Sequence, residues 1–237
     1  MPPMSRPGGE LASRPLHFIW IVDASGSMQG DKIQSLNYAI QSAIPAMREA
    51  GDKNPNAQIF VRALRFSDAA QWHVAQPTPV QDFRWPDLTA DGVTRMGEAM
   101  HVVAEQLKVL QGEGRILPPV LVLLSDGQPT DDFTAGLREL MAQPLGKKAV
   151  RIAIAIGQDA DLDTLQKFIG HPELRPLQAN NAEALVQYIK WASTVAVTSA
   201  SAAANKNAMA GAGTTADGGA VAVPLPTPPA AEGDDVW

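Results

Sequence analysis

Asp23, Ser25 and Ser27 form an Asp-x-Ser-x-Ser arrangement directly after the apolar run Leu16 to Val22. One carboxylate and two hydroxyls at alternate positions of a tight turn, with Gly26 between the serines to let the chain fold back, are hard oxygen donors presented from a loop. That is the donor chemistry of Mg²⁺, which takes octahedral oxygen coordination at about 2.0–2.1 Å and keeps some of its water. The same residue types are good helix N-caps, and a helical pattern begins shortly after. A cap accounts for one of the three, not for all. Two more segments carry matching groups. Thr94 precedes another helical pattern, and Asp126 follows Val120 to Leu124, a run of five apolar residues. Five oxygen-bearing side chains on three separate segments exceed what capping needs.

The rest of the chain has to bring those segments together. Leu16 to Val22 reads as a strand covered on both faces. Ile33, Leu36, Ile40, Ile44 and Met47 lie on one face of a helix, which Pro45 is expected to bend or end, since an interior proline costs about 3 kcal/mol. Ala57 to Phe66 is a second strand, less buried because Arg62 and Arg65 interrupt it. Ala70 to Ala75 reads as its antiparallel return arm at a sheet edge, after a Ser67-Asp68 turn. Gln76 to Gly92 carries three prolines and no period, so it reads as an ordered surface loop with a helical turn near Asp82 to Trp85.

Met96, Met100, Val103, Leu107 and Leu110 mark the next helix. Phe133, Leu137, Leu140 and Met141 mark another, with Thr130 or Asp131 as its cap. Val150 to Ile156 is a buried strand, Asp161 caps a helix that Gly170 stops, Leu174 to Leu177 is a short last strand, and Asn181 begins a helix through Leu185, Ile189 and Ala192. Strands alternating with helices predict a doubly wound, mostly parallel α/β sheet with one antiparallel edge strand and helices on both faces. Such sheets bind ligands beyond the carboxyl ends of their strands. The expected divisions are a flexible N-terminus over 1–13, one domain over 14–197, and a tail over 198–237. The Ala, Gly, Thr, Pro and Val composition of that tail predicts disorder.

Composition narrows the function. The 237 residues include no cysteine, which excludes disulfides, zinc ribbons, iron–sulfur clusters and thiol catalysis. A net charge of −6 without a basic cluster argues against nucleic acid as a partner. No run of apolar residues is long enough to span a membrane, and the first residues lack the apolar stretch of a secretory signal, so a cytoplasmic location is expected. His17, His73, His101 and His171 have no ligand-like spacing and read as structural. A metal-assisted hydrolase or phosphotransferase, with Asp23 or Ser25 as nucleophile, is the enzymatic alternative. The sequence has no Gly-x-Ser-x-Gly elbow, no phosphate loop and no histidine near the site to serve as base, so no enzymatic activity is expected.

Asp23, Ser25, Ser27, Thr94 and Asp126 together resemble the metal-ion-dependent adhesion site of the von Willebrand factor A family, and the resemblance extends over Arg14 to Trp191. It implies that the two serines and the threonine bind Mg²⁺ largely directly, with Mn²⁺ or Ca²⁺ as alternatives. It also implies that the aspartates often act through water and that a partner protein's Glu or Asp supplies the missing ligand. Ser27-Met28-Gln29-Gly30-Asp31-Lys32-Ile33, the segment Asp126 to Asp132 and the segment Ile156 to Asp161 are most similar to bacterial TerY-type proteins of tellurite resistance. That likeness implies a stress-response or phosphorylation complex, with a protein kinase and a PP2C-type phosphatase as partners; an adaptor of an AAA+ ATPase is the alternative. The chain departs from the pattern in lacking a cysteine-rich tail and in having Gly92-Val93-Thr94 where Gly-Gly-Thr is common. If the second position needs a positive φ, Val93 is strained. Arg95 offers a planar fork of donors, either to a partner's carboxylate or phosphate or simply to solvent.

Overall fold

In β1 (Arg14–Asp23) every residue from Leu16 onward is buried, so the strand has to lie inside a sheet covered on both faces. The computed structural model describes residues 13–209 and places β1 in a six-stranded sheet of order β3-β2-β1-β4-β5-β6. β2 (Ala57–Phe66) and β4 (Val120–Ser125) flank β1 in parallel, and β5 (Val150–Ile156) and β6 (Leu177–Ala179) extend the sheet in the same sense. β3 (Ala70–Pro79) is the antiparallel edge. From β1 the chain steps outward through β2 and β3, then crosses to the other side for β4, β5 and β6. The order therefore reverses between β1 and β4, and the connections leaving their carboxyl ends part to opposite faces. Such a switch point opens a crevice above the sheet.

Successive β1 side chains alternate between the two layers. Leu16, Phe18, Trp20 and Val22 meet α1 (Asp31–Asp52) and α6 (Ala182–Met209) through Leu36, Ile40, Met47, Leu185 and Ile189. Ile19 and Ile21 face α2 (Met96–Leu110), α3 (Phe133–Ala142) and α5 (Leu162–Ile169) through Met100, Leu107, Leu140 and Phe168. A short α4 (Pro144–Lys148) links α3 to β5. The expected fold class is the observed one.

Five local expectations change. Pro45 does not end α1, which runs unbroken through it. Pro45 and Gln41 are both exposed, so the carbonyl left without an amide donor faces water. β3 continues past Ala75 to Pro79, because an edge strand tolerates proline where the missing amide would point outward. The turn after it spans Val80 to Asp82, slightly earlier than expected, and the last strand begins at Leu177. α6 continues past residue 197 to Met209, since the alanine-rich stretch that reads as low complexity also has the highest helix propensity. Residues 1–12 and 210–237, which hold most of the expected flexible ends, lie outside the described residues. Among the described residues no helix is long and apolar enough to cross a membrane.

Candidate metal centre

The Asp-x-Ser-x-Ser turn is held by its own aspartate. Asp23 closes β1, and the Ser25 amide donates to Asp23 Oδ1 at 2.9 Å, folding the chain into a single 3-10 turn over Gly26–Met28. This brings the Ser25 and Ser27 hydroxyls to 3.0 Å from each other. The register Val22↔Leu124 puts Asp23 beside Ser125, whose hydroxyl donates to Asp23 Oδ2 at 2.5 Å. In return Ser27 Oγ donates to Asp126 Oδ1 at 2.7 Å. Two side-chain bonds of opposite sense thus stitch the β1 and β4 loops together across the switch point. Gly127 lies against the third segment: a Cβ there would sit 3.5 Å from Thr94 Oγ1 and 3.6 Å from Ser27 Oγ. All five expected residues converge.

Thr94 arrives on a long connection that is anchored at several points. Phe83, Trp85 and Leu88 are buried in the core. The buried Asn37 on α1 accepts from Trp85 Nε1 and from the Leu88 amide, both at 2.9 Å, and donates to the Leu88 carbonyl at 2.9 Å. Nearer the site the Gly26 amide donates to the Gly92 carbonyl at 2.9 Å, and the Asp91 amide to the Ala24 carbonyl at 2.8 Å. The left-handed residue of the loop is Gly92, with φ 81°, and a Cβ there would lie 2.4 Å from an Asp68 carboxylate oxygen. Val93 follows with its amide bonded to Asp68 Oδ1 at 2.9 Å and its side chain turned outward, so the Gly-Val-Thr sequence suits the turn.

The start of α2 is capped from another loop. Asp131 accepts from the Gly97 and Glu98 amides, both at 2.8 Å, while the Thr130 amide donates to the Thr94 carbonyl at 2.9 Å. The α3 cap is instead Asp132, through the Ala135 amide. α2 and α3 cross where Gly136 meets Gly97, and a Cβ on Gly136 would lie 2.2 Å from the Gly97 carbonyl oxygen.

The two carboxylates are charged in different surroundings. Asp23 is wholly buried, and burial pushes its carboxyl up to about 6, against the opposing pull of the hydrogen bonds from Ser125 and Ser25. Asp126 is also buried, but its Oδ2 meets Lys32 Nζ at 2.6 Å. Lys32, one turn into the structure after the serines, is the functional candidate that the sequence reading did not single out. Arg95 is half exposed, with Nη1 3.6 Å from Glu98 in the first turn of α2, so its side chain is directed to that carboxylate. The histidines stay away from the centre: His17 stacks on Phe60, His73 bonds the Pro86 carbonyl and His101 pairs with Glu139.

These donors suit a small hard dication. Among the described residues no three His, Cys, Asp or Glu side chains gather as an ion site, so hydroxyls must complete any coordination here. Neighbouring ligands on an octahedron of Mg²⁺ size lie about 2.9 Å apart. The Ser25–Ser27 oxygen separation, 3.0 Å, is close to that edge. Thr94 is 6% exposed, and among the described residues its hydroxyl bonds no protein group, which leaves it available to an ion.

The family described as von Willebrand factor type A domain matches residues 19–190. No curated protein matches the chain significantly. Among solved structures, a von Willebrand factor type A protein from Catenulispora acidiphila superposes with TM-score 0.59 at 16% identity, covering 78% of this chain and 43% of that one. The ArnB paralog VWA2 from Sulfolobus acidocaldarius gives TM-score 0.56 at 20% identity, covering 76% and 46%. The pilus adhesin SpaC from Lactobacillus rhamnosus GG gives TM-score 0.62 at 14% identity, covering 78% and 31%. At these identities the likeness is one of fold, and the chain spans under half the length of each.

Proposed function

The chain belongs to the von Willebrand factor type A family, and from that premise we propose that it is a non-enzymatic protein-binding module whose contact face is a divalent-metal site. The observation that carries this reading is the convergence of Asp23, Ser25, Ser27, Thr94 and Asp126 from three loops above the switch point. Ser25, Ser27 and Thr94 are the direct ligands, while Asp23 and Asp126 act from behind through water and hydrogen bonds to the serines. A bound Mg²⁺, or Mn²⁺ in its place, supplies a Lewis-acidic position for one carboxylate oxygen of a partner protein's Glu or Asp. Ser27 is the exposed member of the donor set, so the face opens on its side. Arg95 is within the partner's reach. Hydrolysis or phosphoryl transfer has less support, because Ser25 Oγ is bonded to Ser27 Oγ and no histidine lies beside it to take its proton.

The finer reading follows the TerY-type resemblance. The module works in the cytoplasm of a bacterium and scaffolds a stress-response complex with a protein kinase and a PP2C-type phosphatase. The test is partner capture by the purified chain in Mg²⁺, Mn²⁺ and EDTA. Capture should require the metal, and Thr94→Ala or Asp23→Ala should abolish it with circular dichroism unchanged. Losing a group that orients metal ligands typically lowers metal affinity by about 10–100-fold. Equal capture in EDTA and Mg²⁺ by the folded protein would overturn the reading.

A further inference from the structure

Lys32 is an odd neighbour for a dication. Its Nζ bonds Asp126 Oδ2 at 2.6 Å while Ser27 Oγ bonds Oδ1 of the same carboxylate at 2.7 Å. The ammonium is therefore one carboxylate's width from a proposed metal ligand. The Asp126 side chain is fully buried and that of Lys32 is 19% exposed, so solvent screens the ammonium only weakly. Resting on the metal reading above, we propose that Lys32 couples metal loading to capture of an acidic partner, so that each of the two is weak without the other.

The charges give the reason. Asp23 and Asp126 as carboxylates, with Lys32, carry a net −1; a dication takes the site to +1. Without Lys32 the loaded site would be neutral. A dication and an ammonium within about 7 Å repel enough, even at the dielectric of water, to lower an equilibrium constant by roughly fivefold to tenfold, and by more where solvent is excluded. Lys32 thus weakens retention of the ion alone. The residual positive charge is relieved when a carboxylate arrives, so the ammonium that opposes the metal favours the ligand that follows it. Linkage makes the effect reciprocal: a carboxylate must tighten metal binding by the factor by which the metal tightens carboxylate binding. Asp126 has both oxygens bonded within the protein, so Lys32 also keeps that carboxylate oriented when no ion is bound.

The probe is Mn²⁺ itself, titrated against the full chain by loss of the free-ion electron paramagnetic resonance signal, in chloride and in acetate at equal ionic strength. Lys32→Gln keeps a hydrogen-bond donor near Asp126 without the charge; Lys32→Met serves as the second neutral variant if the first loses its fold. In chloride the neutral variant should bind Mn²⁺ about tenfold more tightly than wild type, Lys32→Arg should match wild type, and acetate should tighten binding by wild type more than by the neutral variant. Equal or weaker Mn²⁺ binding by a folded neutral variant would overturn the coupling and leave the metal reading standing. A Thr94→Ala arm separates the two ideas. Mn²⁺ binding that Thr94→Ala does not diminish, or wild-type and neutral variants that both bind no Mn²⁺, would overturn the metal reading and the coupling together.

Discussion

Asp23 and Asp126 stand at the carboxyl ends of adjacent parallel strands, Asp23 as the last residue of β1 and Asp126 one residue past Ser125, which closes β4. Their surroundings differ. Asp23 is held by two neutral donors, Ser25 N and Ser125 Oγ, and its burial favours the protonated form. Asp126 is held by one hydroxyl and one ammonium, and its counter-charge is built into the chain. Two carboxylates that look equivalent in sequence are thus held by different means, one by neutral donors with burial raising it to about 6 and the other by a tethered cation. The balance matters because a site of two unscreened carboxylates would destabilise the metal-free fold by mutual repulsion, whereas two permanent counter-ions would shut out the metal.

The largest effect expected from this contrast is at Asp126. Asp126→Asn leaves the Lys32 ammonium, mostly shielded from solvent, against a neutral amide, and should destabilise the metal-free protein by about 2–3 kcal/mol in urea denaturation. A variant as stable as wild type would mean that the ion pair contributes nothing.

Asp23→Asn should act in the opposite direction. It removes a buried charge whose cost, from a carboxyl raised from 3.8 to about 6, is up to roughly 3 kcal/mol at neutral pH. The amide cannot accept from both donors, so the net gain expected in metal-free stability is about 1–2 kcal/mol, with metal binding lost. The pH dependence follows in sign. A carboxyl whose folded value is raised binds its proton more tightly in the native state. The associated stability is fully present below about pH 4 and is lost as pH rises through about 6. Metal-free wild type should therefore gain on Asp23→Asn as pH falls from 7 to 4, while metal affinity of wild type falls over the same interval. A constant stability difference between the two proteins across that range would remove Asp23 as the titrating group.

The smallest effect belongs to Ser125→Ala. Its hydroxyl stabilises the charged form of Asp23, so its loss should move the acid edge of metal binding to higher pH by a fraction of a unit, with little change at pH 8. Metal titrations at several pH values would detect it, and an edge that moved downward would reverse the assigned role of the bond.

The fold and the five donors were legible because both depend on local pattern. Apolar runs that stop before Asp23 and before Ser125-Asp126 mark the strands, and the alternation of strand and helix fixes the layers. Lys32, Asn37, Asp68 and Asp131 were not legible, because each acts on a partner far away in sequence. Asp131 reads as the cap of the helix just after it, and only three-dimensional proximity shows that it caps α2 instead. The strain expected at Val93 did not materialise because the turn places its positive φ one residue earlier, at Gly92, a matter of loop geometry that composition does not encode. That Pro45 does not end α1 has a related reason: its cost depends on whether the abandoned carbonyl reaches water, which is a property of the packed helix.

The bond from Asp131 to the first amides of α2 has a mechanical meaning. It ties the loop after β4 to the helix that follows Thr94, and the glycine contact between α2 and α3 leaves no room for a side chain between the two bodies. Thr94 is therefore fixed against the loop after β4, while the bonds from Gly26 to Gly92 and from Ser125 to Asp23 fix both segments to the end of β1. The five oxygen-bearing side chains thus share one braced assembly, so a change at Asp131 would be felt at Thr94 although Asp131 is none of the five.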